Sequence, residues 1–246
     1  ISQKPTVRDQ IAAVMRARRF LPSLDATELG IFSTMRPDNR VCGDFDDFFL
    51  TDGNHLCLFI ADVSGKGVPA ALFMVIAKTL IKNHAQNGET PAEIFTVVND
   101  QLCENNKEGM FVTAWMGILD LNTGHMAYVN AGHNPPLLKT VGGKYEYFKC
   151  NTGFVLAGLE GMSYQQNETQ LSRGDILYLY TDGVTEATDL SDQMYGEERL
   201  QTTLNTHADQ PPEQLVSVVQ QDISDFVGDA EQSDDIPMLS LRFNGH

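Results

Sequence analysis

Residues 55–77 read HLCLFIADVSGKGVPAALFMVIA. The first part alternates. Leu56, Leu58 and Ile60 fall on one side of an extended chain, and Asp62 is the next residue in that row. Val63-Ser64-Gly65-Lys66-Gly67 then supplies a turn. From Pro69 to His84 apolar residues occupy most sides of a helix, which predicts a deeply buried one. The turn lacks the G-x-x-x-x-G-K-[ST] spacing, so a P-loop is disfavoured. Its glycines let backbone approach a metal or a phosphate. Lys66 reads as a solvated turn lysine or as a contact to a phosphate oxygen. Ser64 lacks the G-x-S-x-G setting, which disfavours a serine hydrolase.

Strand-like stretches lie upstream at Thr27–Met35 and Val41–Leu50, the second joined to residue 55 by Thr51-Asp52-Gly53-Asn54. Downstream, Thr90-Pro91-Ala92-Glu93 is a capping box that opens a second helix, with Ile94, Val97, Val98 and Leu102 on one face. Further strands are expected at Phe111–Asp120, His125–Ala131, Leu137–Thr140, Tyr145–Lys149 and Asp175–Asp182. Glu197–Thr206 and Pro212–Val227 read as helices, and Ile236–Phe243 closes the chain as a strand. Hairpin-linked strands with helices in serial pairs indicate an α+β fold. Stacked antiparallel sheets carry helices outside, unlike an alternating Rossmann plan. At the N-terminus, Thr6 caps a helix with Ile11, Val14 and Met15 on one stripe, ended by Pro22. It is either a docked surface helix or a connector to an upstream module.

The chain has 246 residues, 42% of them hydrophobic and 20% charged, which is a globular composition. Its formal charge of −16 repels the phosphates of nucleic acid and of an anionic membrane. No apolar run approaches the roughly 18 residues of a membrane span. Cys42, Cys57, Cys103 and Cys150 form no C-x-x-C pair, which disfavours a zinc ribbon or a thioredoxin-like site. They read as free thiols in a reducing compartment, hence a cytoplasmic protein. The chain begins at Ile1 and shows no signal peptide, so it is expected to be excised from something longer.

Four acidic points carry the chemistry. In Gly43-Asp44-Phe45-Asp46-Asp47, Asp44 and Asp46 share one strand face, and Phe45, Asp47 and Phe49 the other. Asp62 ends an apolar row. Asp182 follows Ile176, Tyr178 and Tyr180 with the same period, and Asp234-Asp235 precedes the last strand. Each acid alone also reads as a turn residue. Converging together, such carboxylates would raise one another's pKa values, and two divalent cations would remove that penalty. Oxygen ligands of this kind suit Mg²⁺ or Mn²⁺. Among the histidines only His133, in Ala131-Gly132-His133-Asn134-Pro135-Pro136, has a distinctive setting. It is a turn histidine bonded to backbone, an orienting group, or an acid.

Together these stretches resemble the bacterial branch of the metal-dependent serine/threonine phosphatases, the PPM (protein phosphatase 2C-like) family. Within that branch they are similar to the sporulation protein E-like and stress-response regulatory phosphatases. Cys42 to Asp47, Ala61 to Ala71, Ala131 to Pro136, Tyr180 to Ala187 and Asp234-Asp235-Ile236 carry the resemblance, from about Ile11 to Phe243. It implies a four-layer αββα fold, a central antiparallel β-sandwich between helix pairs. It also implies a centre of two Mn²⁺ or Mg²⁺ ions. By position Asp62 would bridge the ions with the Val63 carbonyl beside it. Asp44 would hold one ion, Asp182 and Asp234 would complete the site, and Asp46 or Asp47 would bond metal waters. The implied reaction is attack of a metal-bridging hydroxide on phosphoserine or phosphothreonine. Cys42, Asp46 and Pro237 depart from the family pattern without removing a ligand.

The resemblance further implies a phosphoprotein substrate, an anti-sigma-factor antagonist of the STAS type, in bacterial signalling below an upstream sensory domain. Residues 1–24 would then be a regulatory connector or a homodimer contact, and residues 25–246 the phosphatase domain. Two other readings compete: a phosphatase-like binding module that has lost catalysis, and a metal-dependent nuclease, which the acidic charge opposes.

Overall fold

The computed structural model describes residues 29–36, 43–104, 106–230 and 235–245. The expected N-terminal helix, the connector 1–24, Cys42 and Asp234 lie outside the described residues.

The strands are β1 (Leu29–Arg36), β2 (Phe45–Leu50), β3 (His55–Val63), β4 (Val112–Asp120), β5 (His125–Ala131), β6 (Leu137–Lys139), β7 (Tyr145–Tyr147), β8 (Thr152–Gly153), β9 (Asn167–Gln170), β10 (Ile176–Tyr180) and β11 (Ile236–Phe243). The helices are α1 (Val68–Gln86), α2 (Pro91–Cys103), α3 (Asp182–Thr185), α4 (Glu197–Thr206) and α5 (Pro212–Val227). One sheet runs β1-β11-β10-β6-β7, and the other β2-β3-β4-β5-β8 with β9 also on β5. The pairings are antiparallel except β5 with β8.

Three apolar layers hold four structural layers together. Between the sheets lie Leu56, Leu58, Ile60 and Trp115 from one side and Leu177, Leu179, Leu239 and Leu241 from the other. Outside the second sheet, Phe45, Phe59 and Ala61 meet Phe73, Ala77 and Ile81 of α1 and Ile94, Phe95 and Val98 of α2. Outside the first, Tyr178, Tyr180 and Met238 meet Leu200, Leu204, Leu215 and Val219 of α4 and α5. The αββα arrangement expected from sequence is therefore the fold. Thr90 caps α2 in the reciprocal capping box, with Glu93 at N3.

Three expectations need correction. First, α1 is not buried all round: Val68, Leu72, Val75 and Ile76 are exposed. It is an outer-layer helix, so only the side carrying Ala70, Phe73, Met74, Ala77 and Ile81 meets the sheet. Ala70 and Ala77 on that side allow close approach to the sheet. Second, the strand expected at Asp175–Asp182 ends at Tyr180, and Asp182 opens α3. Third, β8 and β9 were not expected. They are short and polar, and edge pairing to β5 rather than hydrophobic alternation creates them.

Candidate metal-binding active site

The site is built at one end of the sandwich, from two strand pairs in different sheets. On the β2–β3 side alternation sets the geometry. Leu56, Leu58 and Ile60 lie in the inter-sheet layer, and Asp62 continues their row. Asp44, just before β2, is 3% exposed. Its carboxyl shares a hydrogen bond with Asp62 and accepts another, 2.8 Å long, from Thr181 Oγ1. The Asp44 pKa is held well above the usual carboxylate range. Burial is the main cause, followed by the Asp62 hydrogen bond and charge, with Asp235 adding to it and Thr181 opposing. Gly43 packs tightly on the Val63 carbonyl: a Cβ there would lie 3.0 Å from that oxygen.

The β10–β11 side does not follow the expected row. Ile176, Tyr178 and Tyr180 face α4 and α5, while Leu177 and Leu179 face the other sheet. The residue that extends the inter-sheet row is Thr181, whose hydroxyl reaches Asp44. Asp182 is half-buried in the first turn of α3, so the bend after Tyr180, not strand alternation, aims it. Across from it, β11 enters the sheet with Tyr180 opposite Met238. Leu239, Leu241 and Phe243 occupy the inter-sheet row, and Asp235 has the same parity. Asp235 is 5% exposed and acts on Asp44 electrostatically.

The structure thus brings Asp62 and Asp235 each within electrostatic range of Asp44, with Asp182 at the adjoining strand end. Among the described residues no three acids, histidines or cysteines stand ready-spaced around one ion. The oxygen donors offered, carboxylates and the Val63 carbonyl, fit a hard divalent cation and not a soft one. The buried Asp44 carboxyl, with raised proton affinity and packed against a second carboxyl, is the electrostatic signature such a cation relieves.

Neighbouring residues resolve several open alternatives. Asp46 accepts from Ser33 Oγ of β1, tying the sheets together at this end. Asp47 is buried on the opposite face, 3.9 Å from Lys82 Nζ of α1, and so does not share Asp44's face. Ser64 is structural: its hydroxyl accepts from Phe111 N at 2.8 Å, and its N–H donates to Phe111 O at 2.9 Å. His133 is 4% exposed, and burial pulls its pKa down to about 4, against a bond to the Tyr180 carbonyl that favours the charged form. A neutral imidazole with both nitrogens engaged is no general acid at neutral pH. Thr181 and Thr113 were missed by sequence reasoning. Their polarity at the end of buried rows was the available signal.

This fold is that of PP2C-type phosphatase domains. The SiaA-PP2C domain of Pseudomonas aeruginosa matches it with a TM-score of 0.76 at 23% identity, covering 87% of this chain and 85% of that one. The model of the Stage II sporulation protein E (SpoIIE) family matches residues 52–244, and the chain belongs to that family. Protein IcfG of Synechocystis sp. is 28% identical over 256 residues, covering 92% of this chain and 40% of that protein. Phosphoserine phosphatase RsbU of Bacillus subtilis is 31% identical over 173 residues, covering 68% and 49% respectively. The chain therefore spans less than half the length of these two relatives.

Proposed function

We propose that the protein is a metal-dependent phosphatase that removes phosphate from serine or threonine of a signalling protein. The observation that carries this is the buried Asp44 carboxyl, pressed against Asp62, within range of Asp235, and held above its usual pKa. Such an arrangement is electrostatically unfavourable until cations enter. Membership of the SpoIIE family and similarity to a phosphoserine phosphatase support the reaction class.

Asp44, Asp62, Asp182 and Asp234, with the Val63 carbonyl, are the proposed ligands of two Mn²⁺ or Mg²⁺ ions, and Asp235 is a further carboxylate that acts on Asp44. When bound, the ions would supply an acidified water and screen the phosphoryl dianion. The chain's own part is positional. Thr181 fixes one Asp44 oxygen through its hydroxyl. Gly43 keeps side-chain bulk away from the Val63 carbonyl. The turn with Gly65 and Gly67 at positive φ starts α1 a few residues beyond Asp62. No side chain is required as a nucleophile. The partner we favour is a phosphorylated STAS-type anti-sigma-factor antagonist, with residues 1–24 as connector to a sensory domain.

Hydrolysis of p-nitrophenyl phosphate and of a phosphoserine-bearing STAS protein tests this. Activity should appear with Mn²⁺, vanish in EDTA and be lost in Asp62→Asn. A wild-type chain that binds Mn²⁺ yet hydrolyses neither would favour a binding module that has lost catalysis.

A further inference from the structure

His133 is a buried side chain that joins both sheets next to the acids. Its backbone is locked first. Gly132 before it has φ 71°, and a Cβ there would lie 2.6 Å from Val155 Cγ1. Asn130 then clamps His133 from both sides, accepting from its N–H at 2.8 Å and donating to its carbonyl at 2.9 Å. The imidazole leaves this clamp and spans the gap. Its Nε2 lies 3.2 Å from the Tyr180 carbonyl at the end of β10, and its Nδ1 lies 2.9 Å from Thr113 Oγ1 in β4. A carbonyl only accepts, so Nε2 carries the proton and Nδ1 accepts from Thr113.

Both anchors adjoin the acids. Thr113 is paired directly with Asp62 across the β3–β4 ladder. Tyr180 precedes Thr181, which bonds Asp44, and Asp44 bonds Asp62. The contacts close a ring: Asp62, Thr113, His133, Tyr180–Thr181, Asp44, and back to Asp62. Because the proposed ligands come from different sheets, their separation is an inter-sheet distance, and His133 bridges it.

We infer that His133 is a positioning residue that sets the spacing between the Asp44–Asp62 and the Asp182 halves of the site, and thereby its affinity for divalent cations. This rests on the proposed metal-dependent reading. Residues that orient ligands from behind change metal affinity by about 10–100-fold when removed.

The test is Mn²⁺ titration calorimetry on the full chain well below its melting temperature, alongside thermal melts in EDTA. In His133→Leu the Mn²⁺ dissociation constant should rise about 10–100-fold. His133→Gln, which can keep a donor toward the Tyr180 carbonyl, should recover most of that loss. Thr113→Val should fall between them. Nitrogen-15 NMR of the wild-type imidazole should find the proton on Nε2. If His133→Leu does not fold, the His133→Gln and Thr113→Val pair carries the comparison, and Thr113→Val must bind Mn²⁺ more weakly than wild type. Melting temperatures that fall with Mn²⁺ affinity unchanged would make His133 purely structural and overturn the inference, as would a proton on Nδ1. Failure of the wild type to bind Mn²⁺ would instead overturn the metal reading itself.

Discussion

The two edges that supply the acids are built differently. At the β2–β3 edge a regular hairpin carries its alternation to the end, so Asp62 sits where Leu56, Leu58 and Ile60 point. At the β10–β11 edge the strand stops at Tyr180 and the chain bends into α3. There the inter-sheet row ends on Thr181, and the carboxylate comes from the helix turn. One edge offers a hydrogen-bonded carboxyl pair in which burial raises the proton affinity of Asp44. The other offers a hydroxyl that tempers it and a half-exposed acid. The lesson is that strand parity aims a side chain only as far as the ladder extends.

Loss of either edge should be severe for catalysis. Asp62→Asn and Asp182→Asn are each expected to lower kcat/KM with Mn²⁺ by about 10²–10³ or more, as removal of a group stabilising transition-state charge does. A mild effect of Asp182→Asn alone would mean that the bent edge is not part of the centre.

A pH effect comes next. The His133 pKa falls from 6.5 unfolded to about 4 folded, so between these values the unfolded chain binds more protons. Its contribution is full above pH 6.5 and is lost as pH falls toward 4, by on the order of 3 kcal/mol at most. Urea unfolding across that window should reveal it, and His133→Gln should remove it. Asp44 has the opposite sign. Its raised pKa stabilises the metal-free protein at low pH, and that stability is lost as pH rises through its folded value. Asp44→Asn should therefore melt higher than wild type in EDTA at neutral pH, while losing activity with Mn²⁺.

Thr181→Val should destabilise the metal-free chain by about 1–3 kcal/mol, since it strips a buried carboxyl of its donor. Thr185→Val, whose hydroxyl makes only a 3.3 Å bond to the Asp182 carbonyl, should matter less. Equal losses would remove the contrast between the edges. The smallest effect expected is from Gly43→Ala, where the new Cβ meets the Val63 carbonyl at 3.0 Å. A weaker response of activity to Mn²⁺ with a nearly unchanged melt would place the crowding at that oxygen.

Local periodicity made the hydrophobic architecture legible. His125–Ala131, Glu197–Thr206, Pro212–Val227 and Ile236–Phe243 agree with expectation end to end. Their apolar spacing, caps and prolines are all written in neighbouring residues. The Asp62 row was legible for the same reason. The Asp182 row was not, because Ile176, Tyr178 and Tyr180 are apolar on a face that helices cover, and both faces of a doubly covered strand look alike in sequence. The exposed face of α1 was hidden by the same ambiguity: apolar residues all round do not say which side has a neighbour.

Residue order alone determined that this chain has strands enough for two sheets, helices in pairs outside them, and carboxylates at the strand ends. Tertiary structure alone decided that Asp44 meets Asp62 and Asp235, that Thr181 rather than Asp182 completes the inner row, and that His133 spans the sheets. The physical reason is range. Alternation and capping act over a few residues, whereas the charge coupling and hydrogen bonds of the site join residues more than a hundred positions apart, such as Thr181 and Asp44.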